Sequence, residues 1–310
     1  MFNKNFPRNL IVILAAILFI GLTCASYLGL TYRHIDAAVD LSSPPLPVTA
    51  QSLHEGPSFR VAVANMLSPM KGYQHYEDLA DLLAHEFGLP LELVTAESYS
   101  EVNTMLRESK VDLAFVCVGG FASARSDMDV IASPVIDGQA RFNSLIIVPA
   151  DGPAQALIDL KGKRFLYVDP ESATGYWYMA QRIRELGHSP ETFFAQVSWT
   201  GSHDHSITAV AQHIADGACV SSIIYRLMTH NDPSLARRIR IIETSPPYPS
   251  PPVVVRTSMP VSQRNRLANT LVNLADSRDG RAILKDLGID GFVPARNSDY
   301  LAVEPLEASP

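Results

Sequence analysis

Two short stretches hold the side chains best suited to chemistry: Asp169-Pro170-Glu171-Ser172-Ala173-Thr174-Gly175-Tyr176, and Gly201-Ser202-His203-Asp204-His205 about one helix further on. Each is small, hydroxylated and rich in donors. Each follows an apolar run that reads as a strand (Arg164 to Val168, Phe193 to Trp199) and precedes a helical pattern. A helix start presents unsatisfied N–H groups and the positive end of the helix dipole, so Ser172, Thr174 and Gly175 there suit a bound anion without any lysine. The plainer alternative is that Ser172 or Thr174 only caps its helix. Two such turns at the ends of adjacent parallel strands would face one crevice. His203, Asp204 and His205 also suggest a metal, because alternate residues of an extended segment share a face, but no further ligand stands at a completing spacing. Ser202 beside His203 is a poor nucleophile and base pair, and there is no G-x-S-x-G elbow. The reading is a binding site for a small anion, with no catalytic residue, metal or cofactor.

The elements that must position these turns come next. At 310 residues and 47% hydrophobic, the chain can build two lobes, each with its own core. The net charge of −7 and the lack of a Lys/Arg cluster argue against a nucleic-acid partner. Cys24, Cys117 and Cys219 have no metal or disulfide spacing, and the last two sit in apolar runs as core thiols. Residues 1–9 carry Lys4 and Arg8 without an acid, and residues 10–30 carry no charge over a length that spans a bilayer. This favours an uncleaved anchor with its basic end inside over a signal peptide. Residues 31–57, with Pro44, Pro45 and Pro47, read as a linker.

From Phe59 strands and helices alternate: strands at Phe59 to Ala64, Leu91 to Val94, Val111 to Val118, Val130 to Val135 and Asn143 to Val148, helices at Tyr76 to Phe87 and Ser100 to Glu108. The continuous apolar runs predict parallel sheet covered on both faces. Beyond Leu160-Lys161-Gly162-Lys163 the alternation resumes through strand Ala218 to Ser222. Ser245 to Arg256, dense in proline, is predicted to be an extended connector, and helices Ser262 to Ser277 and Gly280 to Leu287 close the chain.

With these pieces in order, the chain from about Phe59 to Leu306 resembles the substrate-binding proteins of phosphate/phosphite/phosphonate ABC importers. The matching residues are Asp159-Leu160-Lys161-Gly162-Lys163, Val168 to Tyr176, Gly201-Ser202-His203-Asp204, Pro247-Tyr248-Pro249, and Leu287-Gly288-Ile289-Asp290-Gly291-Phe292-Val293-Pro294. The resemblance implies an α/β fold of the two-lobed type II periplasmic-binding-protein kind, with a ligand cleft between the lobes, preceded here by one N-terminal transmembrane helix. Lobe 1 would take residues 58–148 and return from 246 to 310, and lobe 2 residues 149–245.

The resemblance also assigns Ser172, Ala173, Thr174 and Gly175 to the anion, His203 as a donor, and Ser202 and Asp204 as shaping its turn. From lobe 1, Met70 to Tyr73 matches a loop that covers the ligand, and Tyr99 an aromatic that closes over it. Three departures stand out. Position 173 is Ala, one hydroxyl fewer than the family commonly has. The turn after the third strand reads Cys117-Val118-Gly119-Gly120 in place of Gly-Pro. Ser221 stands where binders of aminoalkylphosphonates carry an acid, so an ammonium group would lack its counter-charge. The implied role is extracytoplasmic capture of phosphate, phosphite or a short alkylphosphonate for an ABC permease, on the inner membrane through residues 10–30. A sensor subunit signalling to a membrane partner is the alternative, and a metal-dependent phosphatase a weaker one.

Overall fold

The computed structural model describes residues 56–306. The expected anchor at 10–30 and nearly all of the linker lie outside them. Among the described residues no helix is long and apolar enough to cross a membrane.

Two sheets organise the chain. The first has the order β13-β4-β12-β3-β1-β2, where β1 is Phe59–Val63, β2 Leu91–Thr95, β3 Leu113–Phe115, β4 Met128–Val135, β12 Val253–Arg256 and β13 Gly291–Pro294. Strands β1, β2 and β3 are parallel, joined through helices α1 (Pro69–His85) and α2 (Tyr99–Arg107). The Val253-Val254-Val255 run of β12 pairs antiparallel with both β3 and β4 and is fully buried. The predicted connector therefore ends inside a central strand. Its prolines precede that strand, and Pro cannot donate to a ladder.

The second sheet has the order β10-β6-β9-β7-β8: β6 Ser144–Pro149, β7 Arg164–Tyr167, β8 Gln196–Trp199, β9 Gly217–Ser221 and β10 Ile239–Thr244. Strand β7 is the parallel neighbour of both β8 and β9. Strand β6, expected in lobe 1, pairs with β9 and β10. The passage between lobes therefore falls before residue 144 rather than after 148. It is made by the ribbon of β5 (Arg141–Phe142) against β11 (Tyr248–Pro249), two antiparallel strands with Phe142 and Tyr248 in ring contact.

Each lobe packs helices on its sheet. Leu79, Leu83, Leu267 and Leu271 are buried on one face of the first, and Ile207, Val210 and Ile224 on one face of the second. A further cluster runs between lobes, bringing Tyr99, Cys117, Val118 and Phe121 against Ala173 and Trp177. Cys117 and Cys219 are free and buried, as expected of core thiols.

Candidate functional site

The two donor-rich turns leave the C-terminal ends of neighbouring strands. After β7 the chain turns through Asp169 and Pro170 into a π turn, Ala173–Trp177, which runs into α4 (Tyr178–Glu185). A single π turn inside a helix often marks a functional position. The Ser172 hydroxyl caps it, accepting the Gly175 N–H at 2.9 Å, which is the capping role that the sequence offered as the plainer alternative. The Val168 N–H donates to the Gly175 carbonyl at 3.1 Å, folding the turn onto the strand end. A Cβ at Gly175 would stand 2.6 Å from Val168 Cβ, so only glycine fits. Gly175→Ala is expected to cost about 1–3 kcal/mol through overpacking, read as a lowered urea midpoint. Thr174 is fully buried; its carbonyl accepts from Ser144 Oγ (2.7 Å) and Cys219 Sγ (3.0 Å), which leaves its hydroxyl to point elsewhere.

After β8, Ser202 caps α6 (His203–Ala211) by position only, since its hydroxyl makes no capping bond. His203, 1% exposed, reaches the end of β9: its Nδ1 accepts the Ser221 N–H at 3.0 Å. That bond fixes the tautomer, because a neutral imidazole accepting at Nδ1 carries its proton on Nε2. Burial pushes the His203 pKa down to about 3, against a weak opposing pull from Asp204. The ring is thus a neutral donor at ordinary pH. The three parallel strand ends of lobe 2 accordingly supply Thr174, His203 and Ser221.

Asp204 faces lobe 1. It accepts the Ser68 N–H (2.8 Å) and hydroxyl (2.9 Å) and pairs with Lys71 at 3.1 Å. Burial raises its pKa, but the hydroxyls beside it and the Lys71 ammonium outweigh that and hold it below the usual carboxylate range. The His203 N–H donates to the Met66 carbonyl, so the loop after β1 closes on this turn. Further along, the Tyr99 N–H donates to Asp169 Oδ2 (3.1 Å) and Asn103 Nδ2 to Glu171 Oε2 (3.0 Å). The lobes are shut on each other.

Five buried polar atoms where the lobes meet lack a well-formed hydrogen bond: Tyr99 Oη, beside Ser172 and Cys117, and Asn103 Oδ1 from lobe 1, and Thr174 Oγ1, Ser202 Oγ, beside Asp204, and His203 Nε2 from lobe 2. Burial holds the Tyr99 pKa well above its ordinary value, so its hydroxyl is a donor. A buried polar group left unpaired costs about 1–3 kcal/mol. Tyr99, Thr174, Ser202 and His203 can donate there, Asn103 Oδ1 only accepts, and none carries positive charge.

Among the residues selected from the sequence, bonds tie Ser172 to Gly175, Thr174 through its carbonyl to Ser144 and Cys219, and His203 to Ser221, while Tyr99 is bonded to Asp169 and Asp204 to Ser68. Ala173 contributes its backbone: its amide and that of Gly119 lie beside Cys117, whose pKa burial nevertheless raises. Ser221 acts through its amide, while its hydroxyl caps α7 (Ser222–Asn231). Tyr73 stands apart. Pro69 starts α1 directly after Ser68, so residues 70–73 are helix and not a covering loop, and the Tyr73 hydroxyl donates to Glu77 one turn on. The loop that reaches the His203 turn is the shorter stretch ending at Ser68. Ser68 and Asn103 were not singled out from the sequence, and Lys71 and Glu171 lay inside quoted stretches without a role of their own. Ser68 was the most accessible, lying just beyond the end of the first parallel strand, where such sheets bind ligands. His205 is exposed and turns to the Thr200 carbonyl, away from His203. Among the described residues no three His, Cys, Asp or Glu side chains are placed to hold a metal.

Two α/β lobes joined by a two-stranded ribbon, with buried donors where parallel strands end, define a two-lobed ligand-binding protein. The chain belongs to the family described as "ABC transporter, phosphonate, periplasmic substrate-binding protein", whose model matches residues 61–300. It is 25% identical over 231 residues to the phosphonates-binding periplasmic protein of Escherichia coli, covering 71% of this chain and 66% of that protein. It is 27% identical over 201 residues to the phosphate-import protein PhnD of Mycolicibacterium smegmatis, covering 60% of each. The chain thus spans just under two thirds of the first relative and less of the second. Among solved structures, a binding component of an ABC phosphonate transporter from Pseudomonas aeruginosa superposes with a TM-score of 0.74, at 22% identity over 79% of this chain and 84% of that one. PhnD1 of Prochlorococcus marinus, solved with methylphosphonate, superposes at 0.71, with 17% identity over 79% of this chain and 95% of that one. At these identities the two likenesses are of fold.

Proposed function

We propose that this chain is an extracytoplasmic solute-binding protein that captures a small phosphorus oxyanion (phosphate, phosphite or a short alkylphosphonate) for an ABC importer. The observation that carries it is the set of four buried donors that lack a well-formed hydrogen bond, three on the lobe-2 turns and one on lobe 1. A tetrahedral oxyanion has enough acceptor oxygens to satisfy all four. The helix begun by the π turn adds the positive end of its dipole. Asp204, Asp169 and Glu171 bind groups of lobe 1, so their place is in closing the cleft. A ligand that touches both lobes binds the closed form better than an open one, and that difference drives closure. The uncharged run of residues 10–30, following Lys4 and Arg8, supports a tether to the inner membrane.

Calorimetry on the full chain tests the site. His203→Ala and Thr174→Ala are each expected to weaken methylphosphonate or phosphate binding by about 1–3 kcal/mol, the worth of one hydrogen bond to a charged group. Unchanged affinity in either variant, or no binding of any phosphorus oxyanion by the parent, would overturn the reading.

A further inference from the structure

Strand β9 runs into α7, and this lobe-2 helix lies against lobe 1. The Arg226 guanidinium pairs with Asp137 and donates to the Gly288 carbonyl at 3.1 Å, and Leu227 is 3.4 Å from where a Cβ on Gly288 would stand. Gly288 ends the lobe-1 helix Arg278–Leu287, so the guanidinium also sits at the negative end of that helix's dipole. Between α7 and lobe 1 runs an apolar seam, with Ile223, Ile224 and Leu227 on one side and Phe115, Leu287 and Phe292 on the other, around a cavity of about 50 Å³. No Asp, Glu, Lys or Arg lines it. Among the described residues, none of Asp137, Arg226, Leu227 and Gly288 is bonded to Tyr99, Thr174, Ser202 or His203.

We propose that α7 is a clasp: its contacts with lobe 1 form as the lobes close, part as they open, and set how readily the chain closes on any ligand. The inference goes beyond the phosphorus-oxyanion reading, because it concerns the closing step and not the anion's donors. Strand β9, which leads into α7, pairs only with β6 and β7 of its own lobe, so no ladder ties the helix to lobe 1. Burial of the seam favours the closed form before a ligand adds to it, and the apparent affinity carries that contribution. An ion pair as exposed as Arg226 with Asp137 adds little alone, so Leu227 and its apolar neighbours carry most of the effect.

The test is calorimetry and small-angle scattering on the full chain, with phosphate and with methylphosphonate. Leu227→Ala is expected to weaken both ligands by the same factor, about tenfold, and to raise the unliganded radius of gyration above the parent's. Saturating ligand is expected to return the variant to the parent's closed radius, which certifies that it is folded. Val116→Ile, at a residue that also lines the cavity, adds one methylene to the seam and is expected to tighten both ligands by up to about fourfold. If Leu227→Ala binds within about twofold of the parent and its unliganded radius is unchanged, α7 stays on lobe 1 in the open form and the clasp falls. If the two ligands weaken by factors more than about threefold apart, the effect lies in the anion site and the clasp falls likewise. If Leu227→Ala does not fold, Val116→Ile decides alone, and an affinity no better than the parent's overturns the clasp. If the parent binds neither ligand, the oxyanion reading falls, while the unliganded radii still decide the clasp.

Discussion

Between pH 6.5 and about pH 3 the folded state is expected to lose about 4 kcal/mol of stability through His203 alone. The imidazole keeps an ordinary pKa of 6.5 in the unfolded chain and drops to about 3 in the fold, where burial excludes the charged form. At neutral pH both states hold it uncharged and it contributes no slope. As the pH falls below 6.5 the unfolded chain takes up a proton that the fold refuses, which lowers stability by about 1.4 kcal/mol per pH unit until the folded group also titrates. Other groups act in the same window. Asp204, held below its usual pKa, loses stabilising charge in acid, whereas Asp169 and Glu171, raised chiefly by burial, gain from protonation. The measurement is therefore a difference: urea unfolding of the parent and of His203→Gln at pH 7, 5.5 and 4. The glutamine variant, whose amide does not titrate, is expected to fall less steeply, with the curves diverging by about 2–3 kcal/mol at pH 4. Parallel curves would mean that His203 is not held neutral by burial. On the proposed reading the same burial suits His203 to its role, since a neutral donor can bind an oxyanion without a charge that would also attract other anions.

Much of this was legible in the sequence, for reasons that can be stated. The turns at 169–176 and 201–205 betrayed themselves because strand ends are apolar and helix starts are small and hydroxylated. Their facing one crevice followed once β7 and β8 were read as neighbours, and the structure pairs them in parallel. Four things did not come through. The π turn leaves no sequence trace distinct from an ordinary helix start. Residues 253–255 read as connector because five prolines crowd the residues before them, yet three consecutive valines sufficed for a central strand. The cross-cleft partners of Asp204 and Glu171 were hidden for a different reason. Ser68 lies 136 residues from Asp204, and Asn103 lies 68 from Glu171, so no local period links them. The short passage at β5, too small to show any periodicity, also explains why β6 was counted with the wrong lobe.

The largest effect on binding is expected from a single methyl group placed where the lobes meet. Gly119 starts its strand of contacts from α3 (Val118–Ser123), on lobe 1, directly against the lobe-2 turn. A Cβ at this position would stand 2.1 Å from the Glu171 carbonyl oxygen and 2.6 Å from the Ala173 nitrogen, both backbone atoms that cannot rotate away. In Gly119→Ala the lobes must part by more than an ångström. That shift would carry the Tyr99 hydroxyl and the loop ending at Ser68 away from Thr174 and His203, so the ligand would meet donors from one lobe at a time. An open form feels no such clash, because the methyl group then faces solvent. The substitution is a wedge acting on one side of a two-state equilibrium, and the affinity falls by whatever it adds to the cost of closing. A loss of a hundredfold or more in methylphosphonate affinity is expected, with little change in the unliganded melting temperature. Small-angle scattering separates this from local damage to the site: the parent is expected to contract on adding ligand, and the variant to keep one radius of gyration with and without it. Equal affinity and equal contraction in the two proteins would show that the lobes do not need to meet at Gly119, and closure would then have to be sought in another pair of surfaces.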